Sequence, residues 1–150
     1  LAVSTLLAVA LTVLFRIGQR SKMSFPFSTG EPFDAKTMIE SFIAHVPLKR
    51  AVFDRAYKGI NECYEAIVMM NPGRTVSGQI TCSTSDSVLR VDISYPGMPL
   101  DMTVTKPVID SVGDLMNPLQ LSALLITHYA DRTQTESDDS SSTISLFFDE

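Results

Sequence analysis

The longest periodic pattern in the sequence covers residues 49–70 and predicts one long helix with an apolar face. Large apolar side chains recur there every three or four residues, which is the spacing of neighbours on one side of a helix. They are Phe53, Tyr57, Ile60, Tyr64, Ile67 and Val68. The residues Asn71, Pro72 and Gly73 that follow are typical of a helix end. Because one helix cannot bury its own apolar face, a second layer of structure has to cover it.

Two shorter helices are predicted, one before and one after this long helix. Asp34 is a favourable N-cap, and the apolar side chains after it make a helical stripe that ends at Pro47. The stripe consists of Met38, Ile39, Phe42, Ile43 and Val46. The third helix is expected from Pro118 to about Ala130.

The remaining periodic segments alternate apolar and polar residues, as strands with one buried face do. Residues 76–83 and 88–94 form one predicted hairpin, and residues 132–136 and 143–148 form a second one around an acidic, serine-rich turn. The loop between the hairpins, residues 95–115, is long enough to indicate a function or the remnant of one. With the helices, these hairpins predict an α/β protein of the α+β kind: a two-layer sandwich in which helices cover one face of a mixed, mostly antiparallel sheet.

The first fifteen residues, LAVSTLLAVALTVLF, carry no charge, and Arg16, Arg20 and Lys22 come directly after them. This run is shorter than the roughly 20 residues that cross a bilayer, but it starts at the first residue given. A signal peptide has its basic residues before the apolar run, whereas the order here favours the end of a membrane helix whose following segment stays in the cytoplasm. A buried core helix is the alternative.

The sequence therefore divides into three parts. Residues 1–22 are predicted to be the end of a hydrophobic membrane helix with its basic flank, which places the chain at the cell membrane with the residues after about 16 in the cytoplasm. Residues 23–33 are interpreted as a linker that could contain an edge strand, and residues 34–150 as one α+β domain.

Composition excludes several classes of function. The formal net charge of −5 and the isoelectric point near 4.9 argue against nucleic-acid binding, which needs clustered Lys and Arg. Cys63 and Cys82 form no CxxC pair and have no histidine at ligand spacing, so we predict no metal site and two buried thiols. His45 and His128 have no sequence partner that suggests catalysis.

Three short segments give the domain a resemblance to a known family. They are INECYEA at residues 60–66, YPGMPLD at residues 95–101 and NPLQL at residues 117–121. Their order and spacing resemble the histidine-kinase-type ATPase domain of the anti-sigma-factor serine kinases. The resemblance implies a Bergerat-like ATPase fold. It places the acid of the helix motif on Glu62, the adenine-binding position on Tyr95, the turn glycine on Gly97 and a trailing carboxylate on Asp101.

Three features of that family are replaced in this sequence. The asparagine that ligates Mg²⁺ falls on Ala66, which offers no oxygen. The acid that binds the adenine amino group is Tyr95, and the glycine-rich lid has become NPLQL, which predicts a helix start capped by Asn117 and Gln120. We therefore predict that Glu62, Tyr95, Gly97 and Asp101 outline a vestigial nucleotide site, with no catalytic residue, metal or cofactor.

A second resemblance concerns residues 1–18, which are similar to the last membrane helix of the uracil–xanthine permeases through Leu14, Phe15, Arg16 and Gly18. Together the two resemblances imply a non-catalytic cytoplasmic regulatory or interaction domain at the C-terminus of a nucleobase permease. Its expected partner is its own membrane permease domain, with another protein or a second copy as further candidates and no nucleic acid. The alternative is an active ATP-dependent anti-sigma-factor-type serine kinase that uses Glu62 and a rearranged metal site.

Overall fold

The computed structural model describes residues 3–9, 22–103 and 117–150. Residues 3–9 are helical. The elements that follow, in chain order, are β1 (Lys22–Ser28), α1 (Ala35–Ile43), α2 (Arg50–Met70), β2 (Ser77–Ser85), β3 (Val88–Pro96), α3 (Pro118–Tyr129), β4 (Arg132–Ser137) and β5 (Ser141–Asp149).

The five strands form one sheet in the order β1-β2-β3-β5-β4. Every pairing in it is antiparallel. The predicted α+β class and the two-layer sandwich are confirmed. The parallel strand pair implied by a mixed sheet is not found among the described strands.

The two faces of the sheet differ in chemistry because side chains alternate along each strand. One face carries the buried apolar side chains, and residues of α1 and α2 join them in a single core cluster. From β1 to β5 these strand residues are Phe27, Ile80, Cys82, Leu89, Val91, Ile93, Tyr95, Ile144, Leu146 and Phe148. The opposite face carries mostly polar side chains, so the helices pack on one face, as predicted.

Both predicted hairpins are present, and the first has a tighter turn than the sequence suggested. β2 and β3 extend to Ser85 and Val88, which leaves only Asp86 and Ser87 in the turn. Both have positive φ, 50° and 63°, as a two-residue type I′ turn requires. In the second hairpin the Asp138 carboxylate accepts hydrogen bonds from the backbone N–H groups of Ser140 and Ser141, so the acidic segment orders its own turn.

Two other expectations are refined. Residues 23–33, interpreted as a linker that could contain an edge strand, do contain one, since β1 pairs with β2 from Lys22 to Ser28. The first helix begins after the N-cap Asp34 as predicted but ends at Ile43. Its last turn tightens into i→i−3 bonds, such as Val46 N–H to the Ile43 carbonyl, before Pro47 is reached.

The predicted membrane helix is only partly covered by the described residues. Within residues 3–9, 22–103 and 117–150 there is no helix with the length and apolar character needed to cross a bilayer. Residues 1, 2 and 10–21 of that prediction, and residues 104–115 of the predicted loop, lie outside the described part of the chain.

Candidate functional site

Tyr95, at the predicted adenine position, is a core residue. It follows Leu89, Val91 and Ile93 on the inward face of β3 and is only 2% exposed. Its hydroxyl donates a 2.8 Å hydrogen bond to the carbonyl oxygen of Met98, which closes the turn after the strand. The phenol of Tyr95 thus fills protein interior, and its polar atom is engaged by the chain itself.

The electrostatic surroundings keep the Tyr95 hydroxyl protonated. Burial raises its pKa above the ordinary tyrosine range; hydrogen bonds with the Leu100 backbone and the Ser142 side chain act in the opposite direction, and the nearby Cys63 thiol adds to the rise. A neutral, buried phenol cannot replace the carboxylate that would accept the amino group of adenine as a charged partner.

Gly97 serves the turn after β3. Its φ of +125° lies in a region that residues with a side chain rarely adopt. Its carbonyl accepts a 2.8 Å hydrogen bond from the Ser142 hydroxyl, and its N–H donates to the Ser140 carbonyl at 3.2 Å. The glycine at this position is therefore explained by the connection between β3 and the second hairpin.

Asp101 lies on the surface and orders the residues directly after it. Its carboxylate accepts hydrogen bonds from the hydroxyl and the backbone N–H of Thr103. The Thr103 hydroxyl, and then its N–H, hold the pKa of Asp101 below the usual range. The charged carboxylate is thus engaged in a local turn.

Glu62 and Ala66 occupy different surroundings on α2. Glu62 is half-buried, whereas Ala66 is completely buried in the core. A metal-ligating side chain at position 66 would therefore have to project into the hydrophobic interior. Among the described residues, no hydrogen bond or ion pair joins Glu62 to Tyr95, Gly97 or Asp101. Tyr95 and Gly97 share a contact with the Ser142 side chain.

The NPLQL segment begins a helix in the way its sequence predicts. The Asn117 side chain accepts a hydrogen bond from Leu119 N–H at 2.9 Å, the Gln120 side chain reaches back to the Asn117 N–H at 3.3 Å, and Pro118 takes the first helical position. These residues satisfy the open N–H groups of the helix start themselves.

The described residues give information on metal-ligand clusters, unpaired buried polar atoms and ionised thiols. They include no group of three or more His, Cys, Asp or Glu side chains that could hold a metal ion. Every buried side-chain nitrogen or oxygen among them also has a hydrogen-bond partner.

Burial raises the pKa of the Cys63 thiol, and it raises that of Cys82 to about 12, so the thiolate that a cysteine nucleophile needs is suppressed at both positions.

One surface feature was not predicted from the sequence. On the polar face of the sheet, Phe147 lies between two guanidinium groups, with Arg90 5.3 Å and Arg132 4.8 Å from the ring centre. Phe147, Arg90 and Arg132 are among the residues that line a cavity of about 590 Å³. Carboxylates offset their charges, because Arg90 pairs with Asp92 at 3.0 Å and Arg132 with Asp149 at 3.8 Å. These residues are neighbours only because of how the strands pair. The alternation of apolar and polar residues along a single strand does not show that pairing.

No protein-family model matches the chain, and no curated protein matches it either.

Proposed function

We propose that the domain is a non-catalytic regulatory or interaction module with a Bergerat-like ATPase fold, in which the former nucleotide site is filled by the chain's own side chains. The buried Tyr95, with its hydroxyl bonded to the Met98 carbonyl, is the observation that carries this proposal. The order of helices and hairpins and the single helix-covered face of the sheet support the fold assignment.

The energetics of the Tyr95 position oppose binding of a purine. The missing acid would have contributed a charge-assisted hydrogen bond of roughly 1.5–3 kcal/mol. To admit a base, the Tyr95 ring would also have to leave the core, which costs about 2–3 kcal/mol in exposed apolar surface. The two effects together would weaken nucleotide binding by several orders of magnitude relative to an intact site.

Calorimetric titration of the 150-residue chain with Mg-ATP tests this proposal. We expect no binding up to millimolar nucleotide. Binding in the micromolar range would contradict the proposal. Phosphate transfer from labelled ATP to a serine-containing protein would instead support the kinase alternative, provided that Glu62→Ala abolishes it. Glu65→Ala is the matched control, because Glu65 lies on the same helix with its side chain exposed.

We also propose that residues 1–18 form the end of the last membrane helix of a nucleobase permease, which would make the permease the domain's own partner at the cell membrane. The supporting observation is the exposure of apolar side chains in residues 3–9. Val3 is 78% exposed, Leu6 70% and Leu7 61%. A helix with such a surface is stabilised when lipid or another apolar layer covers it.

Co-sedimentation with neutral phosphatidylcholine vesicles tests the membrane proposal. We expect the chain to bind, and we expect Leu6→Asp with Leu7→Asp to reduce the partition coefficient about tenfold or more, since two leucine side chains that would insert into the bilayer are lost. The control carries the same changes at Val68 and Met69, which are apolar and 37% exposed each on α2. Equal binding by both double variants would contradict the proposal.

A further inference from the structure

Among the described strands, β4 forms one edge of the sheet. It pairs with β5 on one side, and within the described residues no strand pairs with its other side. Five of its six residues are exposed, and only Thr133 is half-buried. The strand contains no proline. The opposite edge strand, β1, does contain one, Pro26, whose missing N–H obstructs strand pairing.

The hydrogen-bond pattern shows which backbone groups face the open edge of β4. At the hairpin end, Asp138 N–H donates to the Ser141 carbonyl, which makes these two a hydrogen-bonded pair. Bonded and non-bonded pairs alternate along an antiparallel ladder. Arg132, Gln134 and Glu136 therefore direct their backbone groups toward β5. The N–H and C=O groups of Thr133, Thr135 and Ser137 point toward the open edge.

The sequence of β4, RTQTES, is complementary to itself when two copies run antiparallel. With Gln134 on the two-fold axis, Arg132 of one copy lies opposite Glu136 of the other, and this ion pair occurs twice. Thr133 of one copy then lies opposite Thr135 of the other. Both residues direct their backbone N–H and C=O groups toward the open edge, so these groups can bond to each other. Opposite charges and Thr–Thr pairs directly across an antiparallel ladder are stabilising.

We propose that two copies of this chain associate through the open edge of β4, with Gln134 at the two-fold axis, to form one continuous ten-stranded antiparallel sheet. The chemical partner of the edge is thus a second copy of the same strand. In this arrangement the polar faces of both sheets lie on the same side of the dimer.

A second register, with Thr135 on the two-fold axis, also places the open N–H and C=O groups of the two strands opposite each other. This register is less favourable. There Arg132 would lie opposite Asp138. The Asp138 carboxylate already accepts hydrogen bonds from the backbone of Ser140 and Ser141 at 2.9 and 2.8 Å. Among the described residues, the Glu136 carboxylate has one hydrogen bond, from the Gln134 amide of its own strand at 3.2 Å. Glu136 is therefore the better acceptor for a partner's arginine.

Site-specific cross-linking tests both the edge and the register. Directly opposed residues of a non-bonded pair have Cα atoms about 4.5 Å apart, which a disulfide can bridge, whereas diagonal neighbours are about 7–8 Å apart. Under mild oxidation we expect Gln134→Cys to give a disulfide-linked dimer. We expect Thr135→Cys to give at most a few per cent of that yield. The native Cys63 and Cys82 are fully buried and will not compete.

Charge reversal provides an independent measurement on the whole chain. Arg132→Glu alone and Glu136→Arg alone should each raise the dimer dissociation constant, measured by sedimentation equilibrium, about tenfold, because each places like charges opposite each other twice. The double variant should restore the original value. Arg74→Glu, on an exposed turn far from β4 in sequence, is the control and should change nothing.

The outcomes separate the possibilities. A dimer from Thr135→Cys but not from Gln134→Cys would overturn the proposed register. A chain that stays monomeric at about 0.5 mM, or a dimer that neither cysteine cross-links, would overturn the edge pairing itself. A dimer held together by the exposed apolar residues 3–9 would not depend on β4, so neither cysteine would cross-link it, and it too would overturn the edge pairing. None of these results bears on Mg-ATP binding, so the proposed function stands or falls separately.

Discussion

Tyr95 combines a buried ring with a hydroxyl that donates to the Met98 carbonyl, and the contribution of this hydroxyl can be measured. Tyr95→Phe keeps the ring but removes the donor to the Met98 carbonyl. We expect a loss of about 1 kcal/mol in the free energy of unfolding, measured from urea denaturation, because a carbonyl of the turn is left without its donor.

Met98→Ala is the matched control for this change. The Met98 side chain is 80% exposed, and only its backbone carbonyl takes part in the contact, so the variant should stay within about 0.5 kcal/mol of the original protein. If Tyr95→Phe left the free energy of unfolding unchanged, the hydroxyl would not stabilise the fold. That result would weaken the argument that Tyr95 belongs to the core rather than to a ligand pocket.

Features of single helices and hairpins could be predicted wherever the residues that determine them lie close together in the sequence. The capping box at Asn117 and Gln120 was predicted because both partners lie within four residues of each other. In the same way, the hairpins were found because each is bounded by its own polar turn.

Features that depend on partners far apart in sequence were not predictable in this way. The pairing of Lys22–Ser28 with β2 joins residues that are 49 to 61 positions apart, so β1 could be predicted only as an edge strand within a linker. The contact of Phe147 with Arg90 and Arg132 likewise requires the order β3-β5-β4, which no local pattern contains. The same holds for the site: its residue positions were predicted, but their burial and contacts were not.

At the scale of the whole molecule, one polar cluster ties the helix layer to the end of the sheet. Arg55 of α2 donates to the Asp131 carboxylate at 2.9 Å and to the Asp149 carbonyl at 3.1 Å. The same Asp131 carboxylate accepts the Asp149 N–H at 2.7 Å. Asp131 follows α3, and Asp149 ends β5, so this cluster joins two helices and a strand that are distant in sequence.

The cluster predicts a specific pH dependence of stability. The Asp149 N–H, and then the Arg55 side chain, hold the pKa of Asp131 below its usual range in the folded protein. A carboxyl group whose pKa is depressed by folding contributes stability that is complete above its unfolded value, near 4, and is lost as the pH falls through the folded value. Asp131→Asn removes this contribution, because the amide does not ionise.

We therefore expect Asp131→Asn to lower the free energy of unfolding by about 1 kcal/mol at pH 7, a figure kept small because the ion pair is one-third exposed. The difference from the original protein should shrink as the pH falls below about 4, where the original Asp131 is itself protonated. Urea denaturation at pH 7, 5, 4 and 3 measures it. Asp139→Asn, at an exposed turn position, should show no such convergence. A deficit for Asp131→Asn that stayed constant down to pH 3 would mean that the carboxylate charge does not stabilise the junction of the two layers.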